Sequence, residues 1–160
     1  MAQLTVDMAP LAKSEVDLAY PLISLGDVPM SLDSWRSLAE QVLSRQENGQ
    51  PCGVMAARRR GLIRGLFTYE VSTTVVPSIL CVGHLSVGEP LDSLVPWDRL
   101  LWSIVELGQQ NACTAVHIGL PPERSWLLER WPDPEALTNP IAVVCTITRA
   151  AANATPPRLS

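Results

Sequence analysis

His84 and His117 are the two histidines of the chain, and each interrupts an apolar, strand-prone run. An imidazole titrates near neutrality, so one placed near a strand end can take a proton from a substrate. His84, close to the end of the run Ile79–Val87, is the candidate base. A hydrogen-bonded core or face histidine is the bland reading of both. Cys52, Cys81, Cys113 and Cys145 are widely spaced, with no C-x-x-C pair. They read as buried thiols acting as small hydrophobes, and no metal site is expected, since zinc wants Cys and His clustered at short spacing. Arg58, Arg59 and Arg60, followed by Arg64, could bind an anionic partner or a nucleotide 3′-phosphate, or simply form a solvated hairpin turn. Trp97, Trp102, Trp126 and Trp131 could line a ligand pocket, although core packing or a subunit interface uses indoles the same way. No Ser-His-Asp order, G-x-S-x-G elbow, Walker loop or dinucleotide fingerprint is present.

The elements that must position these residues centre on 79–119. Ile79–Val87 is rich in strand formers, the loop Gly88–Ser93 follows, Pro96–Gln110 is amphipathic, and Cys113–Ile118 is apolar and β-prone again. Such a unit sets a helix N-terminus beside a strand end, where backbone N–H groups can hold an anion. The loop lacks the glycines that cradling a phosphate normally needs. Upstream, Ser31–Arg45 reads as a helix with Ser31 as N-cap and Leu32, Trp35, Leu38, Ala39, Val42 and Leu43 on one stripe. Gly53–Ala57 and Leu62–Ser72 read as a hairpin, with Gly61 supplying positive φ. Val16–Ile23 has strand character, with Pro21 suggesting an edge or a bend. Glu123–Trp131 reads as a short helix and Ile141–Ile147 as a final strand.

The predicted fold class is therefore α/β: a mixed, mostly antiparallel sheet flanked by helices, with one parallel strand pair formed by Ile79–Val87 and Cys113–Ile118. Residues 1–14 read as a loose lead-in, 15–148 as a single domain and 149–160 as a disordered tail. Apolar residues make up 47% and charged residues 18% of the 160, which excludes a disordered chain. A net charge of −4 argues against nucleic acid or an anionic membrane as partner. No basic start leads into an apolar stretch, so no signal peptide is expected and the cytoplasm is the default compartment.

The element order over roughly 16–147 resembles the GNAT family of acetyl-coenzyme A-dependent N-acetyltransferases. Leu100-Leu101, Glu106–Asn111 and Ala115–Ile118 look like that family's cofactor helix and next strand, and Leu127–Arg130 resembles its Leu-Tyr-Glu-Lys segment. The resemblance implies acetyl-CoA as cofactor, with the backbone of Leu85, Ser86 and Val87 pairing with the pantetheine arm as an added strand, and Gly88, Ser93 and Trp97 near the phosphates. It also implies a carboxylate base, for which Glu70 and Glu89 are candidates, and a tyrosine acid, whose matching position here is Leu128. The family's loop motif, Arg/Gln-x-x-Gly-x-Gly/Ala, falls on Asp92, Val95 and Trp97. A carboxylate there repels a diphosphate by roughly 1 kcal/mol or more, and Pro96 removes an N–H donor. The expectation is a divergent member whose acetyl-CoA binding is lost or altered, serving as a module for a protein or small-molecule partner. The alternatives are an active N-acyltransferase and, more weakly, a homodimer built on the C-terminal strand and tryptophans.

Overall fold

The computed structural model describes residues 5–26, 29–74, 77–88, 95–132 and 141–147. Its centre is a six-stranded sheet in sequential order: β1 (Asp7–Pro10), β2 (Cys52–Arg59), β3 (Leu62–Ser72), β4 (Ile79–Val87), β5 (Ala115–Leu120) and β6 (Ala142–Ile147). Strands β1 to β4 run antiparallel to their neighbours, while β4–β5 and β5–β6 are parallel. The expected parallel pair is present, and β6 adds a second. Helices α1 (Val16–Ser24) and α2 (Leu32–Glu47) cover one face, α3 (Val95–Gln110) the other, and a 3-10 segment, Pro122–Arg130, follows β5.

Two of the sequence expectations change. Residues 7–10, within the span read as a loose lead-in, form strand β1 against β2. Four residues are too few to show a period, and Pro10 is tolerated because the strand lies on the sheet edge. Val16–Ile23, read as a strand, is helical: Ala19, Leu22 and Ile23 are buried one turn apart, so the i, i+3, i+4 spacing wins over β-propensity. Tertiary contact fixes it, with the Trp35 indole N–H donating to the Val16 carbonyl at 2.7 Å. The 149–160 tail lies outside the described residues.

The α2 helix follows its sequence signals. Ser31 accepts the Ser34 N–H at the N-cap and Asp33 sits in the first turn, where the helix dipole favours a carboxylate. Its Trp35 and Ala39 pack with α1 residues Ala19, Leu22 and Ile23 and strand residues Val54, Ala56 and Leu66. On the opposite face Phe67, Leu80, Val82, Leu100, Leu101, Ile104 and Val116 form the larger cluster. With Leu66 on one face and Phe67 on the other, β3 serves both layers.

Trp35 is fully buried and bonded. Trp35→Ala is expected to cost about 3–5 kcal/mol through lost transfer energy and the cavity left behind, measured as the shift in urea midpoint at constant m-value.

Candidate functional site

Strand β4 is irregular where the site lies. Leu66 pairs with Ser86 and Thr68 with Gly83, so His84 and Leu85 together oppose Phe67 in a bulge. His84 takes up the extra length at φ 50°, a left-handed conformation that costs a residue with a Cβ about 1–3 kcal/mol. Pairing of β4 with β5 ends at Val82–Ile118, although β4 continues to Val87 and β5 to Leu120. The two parallel strands therefore part beyond Val82, and the bulge sits at the fork.

On the α2 side of the fork is a cavity of about 340 Å³. Leu38, Val42 and Arg45 of α2 form its roof, with Thr68, Glu70, Cys81 and His84 among the strand residues below. The structure thus brings Glu70 and His84, fourteen positions apart in sequence, into one pocket. They are placed differently. Glu70 is half-exposed and engaged by the Arg45 guanidinium at 2.5 Å, which occupies the oxygen a base would use. His84 is half-buried, and that burial pushes its imidazole below the usual 6.5, so it carries a neutral ring at pH 7. Tyr69 also lines the pocket, and burial raises its phenol, leaving a hydroxyl that donates. Tyr20, the other tyrosine of the chain, is on α1 and donates to the Met30 carbonyl at 3.1 Å.

The α3 side of the fork carries a cluster of cation and indoles. Arg124, from the 3-10 segment, donates to the Leu85 carbonyl at 3.2 Å and lies 5.1 Å from the centre of the Trp97 ring. Trp97 itself is buried and meets Trp126 edge to face at 5.8 Å. Such stacked cation and indole pairs are worth roughly 0.5–2 kcal/mol each. Arg130 adds a bidentate grip on Asp98 in the first turn of α3, at 2.9 and 2.6 Å, tying the segment to that helix.

All the residues expected to hold the cofactor except Ser93 lie among the described residues. Leu85 is buried in the α3-side core, and its carbonyl is bonded by Arg124. Ser86 is buried and its hydroxyl donates to the Leu22 carbonyl at 2.9 Å, so it anchors α1. Val87 and Gly88 end the strand, with the Gly88 N–H bonded to the Arg64 carbonyl at 2.8 Å. Trp97 packs in the core rather than against solvent. Ser93, Glu89, Leu91 and Asp92 lie outside the described residues. Of the β4 backbone groups expected to pair with a pantetheine arm, the Leu85 carbonyl accepts from Arg124. Leu128, at the position of the family's tyrosine, is 38% exposed and donates nothing.

Sequence reasoning missed Arg124 altogether. Its one signal was position: a cation just past the C-terminal end of a parallel strand, where α/β sheets place ligand sites. The thiols also divide. Cys52 and Cys113 are buried, as expected, but Cys81 is exposed on the sheet face beside His117, its register partner on β5. His117 is itself exposed, a face histidine rather than a core one. Among the described residues no group of three or more His, Cys, Asp or Glu could hold a metal ion, and no helix is long and apolar enough to cross a membrane.

This arrangement of a six-stranded mixed sheet and flanking helices matches solved acetyltransferase structures. An aminoglycoside N-acetyltransferase in complex with CoA superposes with a TM-score of 0.65 at 14% identity, covering 91% of this chain and 94% of that one. The chain has the GNAT fold. Glucosamine-6-phosphate N-acetyltransferase from Arabidopsis thaliana matches with a TM-score of 0.62 at 9% identity, over 79% of this chain and 89% of that one. A GNAT family acetyltransferase from Staphylococcus aureus gives 0.60 at 10% identity, over 71% and 85%. No protein-family model matches the sequence, and no curated protein sequence does. The GNAT fold is thus carried here by a sequence in which fewer than one residue in five coincides with these structures.

Two measurements test the bulge. His84→Gly is expected to leave the protein about 1 kcal/mol more stable than His84→Ala, because only alanine retains the positive-φ penalty; equal stabilities would mean the bulge carries no strain. His84→Asn keeps a residue that tolerates this φ but removes the titration. Because the folded-state value lies below 6.5, the folded form prefers the neutral ring, so this contribution is complete above pH 6.5 and declines as pH falls toward the folded value. The denaturation midpoint of the wild type should fall more than that of His84→Asn between about pH 7 and pH 5.

Proposed function

We infer that the protein is a GNAT-fold binding module in which the acyl-CoA cleft is lost or altered, with recognition moved to the cavity beneath α2. The observation that carries this reading is the Arg124–Leu85 hydrogen bond. An added strand needs a free backbone edge on β4, and here a guanidinium from the same chain occupies it, held by Trp97 and, through Trp126, by the core. Opening the fork means breaking a charge-assisted hydrogen bond and moving an indole that is 6% exposed out of the core. The cavity suits a small molecule with an apolar body, which would lie against Leu38 and Val42, and a polar end facing Glu70, Arg45 and His84.

A second reading, an acyl-CoA-dependent N-acyltransferase acting on a small or protein amine, is favoured by His84. A neutral imidazole in a cavity beside the fork can accept the proton of an attacking amine, and it is held there by strained backbone, as catalytic groups often are.

Calorimetric titration with acetyl-CoA separates the two. Wild-type protein is expected to give no saturable heat at millimolar ligand and no rise in melting temperature, since any binding to the folded state would raise it. Arg124→Ala, which frees the Leu85 carbonyl, is expected to gain weak binding. Wild-type binding accompanied by acetylation of an added amine, and lost in His84→Asn, would overturn the first reading in favour of the second.

A further inference from the structure

Away from the fork, the β2–β3 hairpin breaks its own local rules to gather arginines. Its two-residue turn is Arg60-Gly61, with φ of 53° and 77°. A turn with both central residues at positive φ prefers Asn-Gly, and a long side chain at the first position is unfavourable. One bond into β3 the register shifts: Ala57 pairs with Gly65 and Arg58 with Ile63, leaving Arg64 as the extra residue of a bulge. Bulges re-aim side chains, and this one turns Arg64 into the same pocket as Arg59 and Arg60. The pocket has a volume of about 260 Å³ and is completed by Leu62, which is 57% exposed. Arg58, the fourth arginine of the hairpin, is instead bound into the structure, pairing with Glu15 and bonding the Ala9 and Pro10 carbonyls.

Three arginines line one pocket on a chain whose net charge is −4. Arginines gathered in one place favour small anions as ligands. Two backbone irregularities, the positive φ of a long side chain at Arg60 and the bulge at Arg64, converge on that pocket. The hairpin also lies beside the outgoing end of β4: Gly65 pairs with Val87, and the Arg64 carbonyl accepts from the Gly88 N–H.

We propose that the Arg59–Arg60–Arg64 pocket is a binding site for a small polyphosphate, either a free diphosphate or the diphosphate end of a nucleotide. Planar guanidiniums match phosphate oxygens bidentately, and each offers five N–H donors, so Arg59 and Arg64 can take a phosphate while keeping interactions of their own. The volume suits a diphosphate group better than a whole nucleotide, whose base and sugar would extend over Leu62. The site stands whether or not the fork binds an acyl thioester.

Calorimetric titration with inorganic pyrophosphate and, separately, with ADP tests it. Both are expected to bind with an affinity that falls as salt is raised from about 50 to about 200 mM. ADP binding tighter than pyrophosphate assigns a nucleotide source, and equal or weaker binding assigns free diphosphate. Arg60→Asn installs the preferred turn residue, so it is expected to fold at least as well as wild type while weakening pyrophosphate about tenfold. Arg64→Gln should weaken it similarly, and Arg130→Ala, on the far side of the sheet order, should leave it unchanged. No binding of either ligand, or equal binding by wild type and Arg60→Asn, overturns the proposal. Melting temperatures without ligand confirm that each variant is folded.

Discussion

The fork between β4 and β5 organises this molecule, and it exists because one strand is a residue too long for its neighbour. His84 and Leu85 oppose Phe67 alone, and the surplus is absorbed by backbone at positive φ. Bending β4 at that point ends its ladder with β5 after Val82 and points Leu85 toward α3. Everything assigned to the site follows from this. The half-buried His84, the carbonyl that Arg124 takes and the buried Ser86 that anchors α1 are consecutive residues of the same distorted segment.

Guanidinium groups then decide what the fork and its surroundings can do. Arg124 bonds the Leu85 carbonyl on one side, Arg45 holds Glu70 on the other, and Arg130 straps the 3-10 segment to α3. The exposed pairs among them contribute little stability individually, since desolvation and side-chain entropy offset most of the Coulomb gain. Their effect is positional. Arginine suits it because the planar fork can bond a carbonyl edge-on while its face rests on an indole, as Arg124 does with Leu85 and Trp97.

Legibility of the fold followed element length. The sixteen-residue α2 and the strands from β2 to β5 were readable because several turns or pleats repeat the same pattern, and Ser31 and Gly61 marked their ends. The four residues of β1 carried no period, and Val16–Ser24 is a helix because Ala19, Leu22 and Ile23 find Trp35 and Leu66, contacts a local pattern does not contain. At the site, Glu70 and His84 were visible as candidate residue types, yet their sharing of one cavity was not.

Sequence by itself determined the order of elements from α2 to β5 and their two-faced apolar patterning, because these depend on residue type and near neighbours alone. Tertiary structure decided where the ladder between β4 and β5 stops, which carbonyl Arg124 finds and which arginines share a pocket. Those outcomes rest on strand register, and a one-residue shift in register is invisible in either strand alone, since it appears only when two strands are laid side by side.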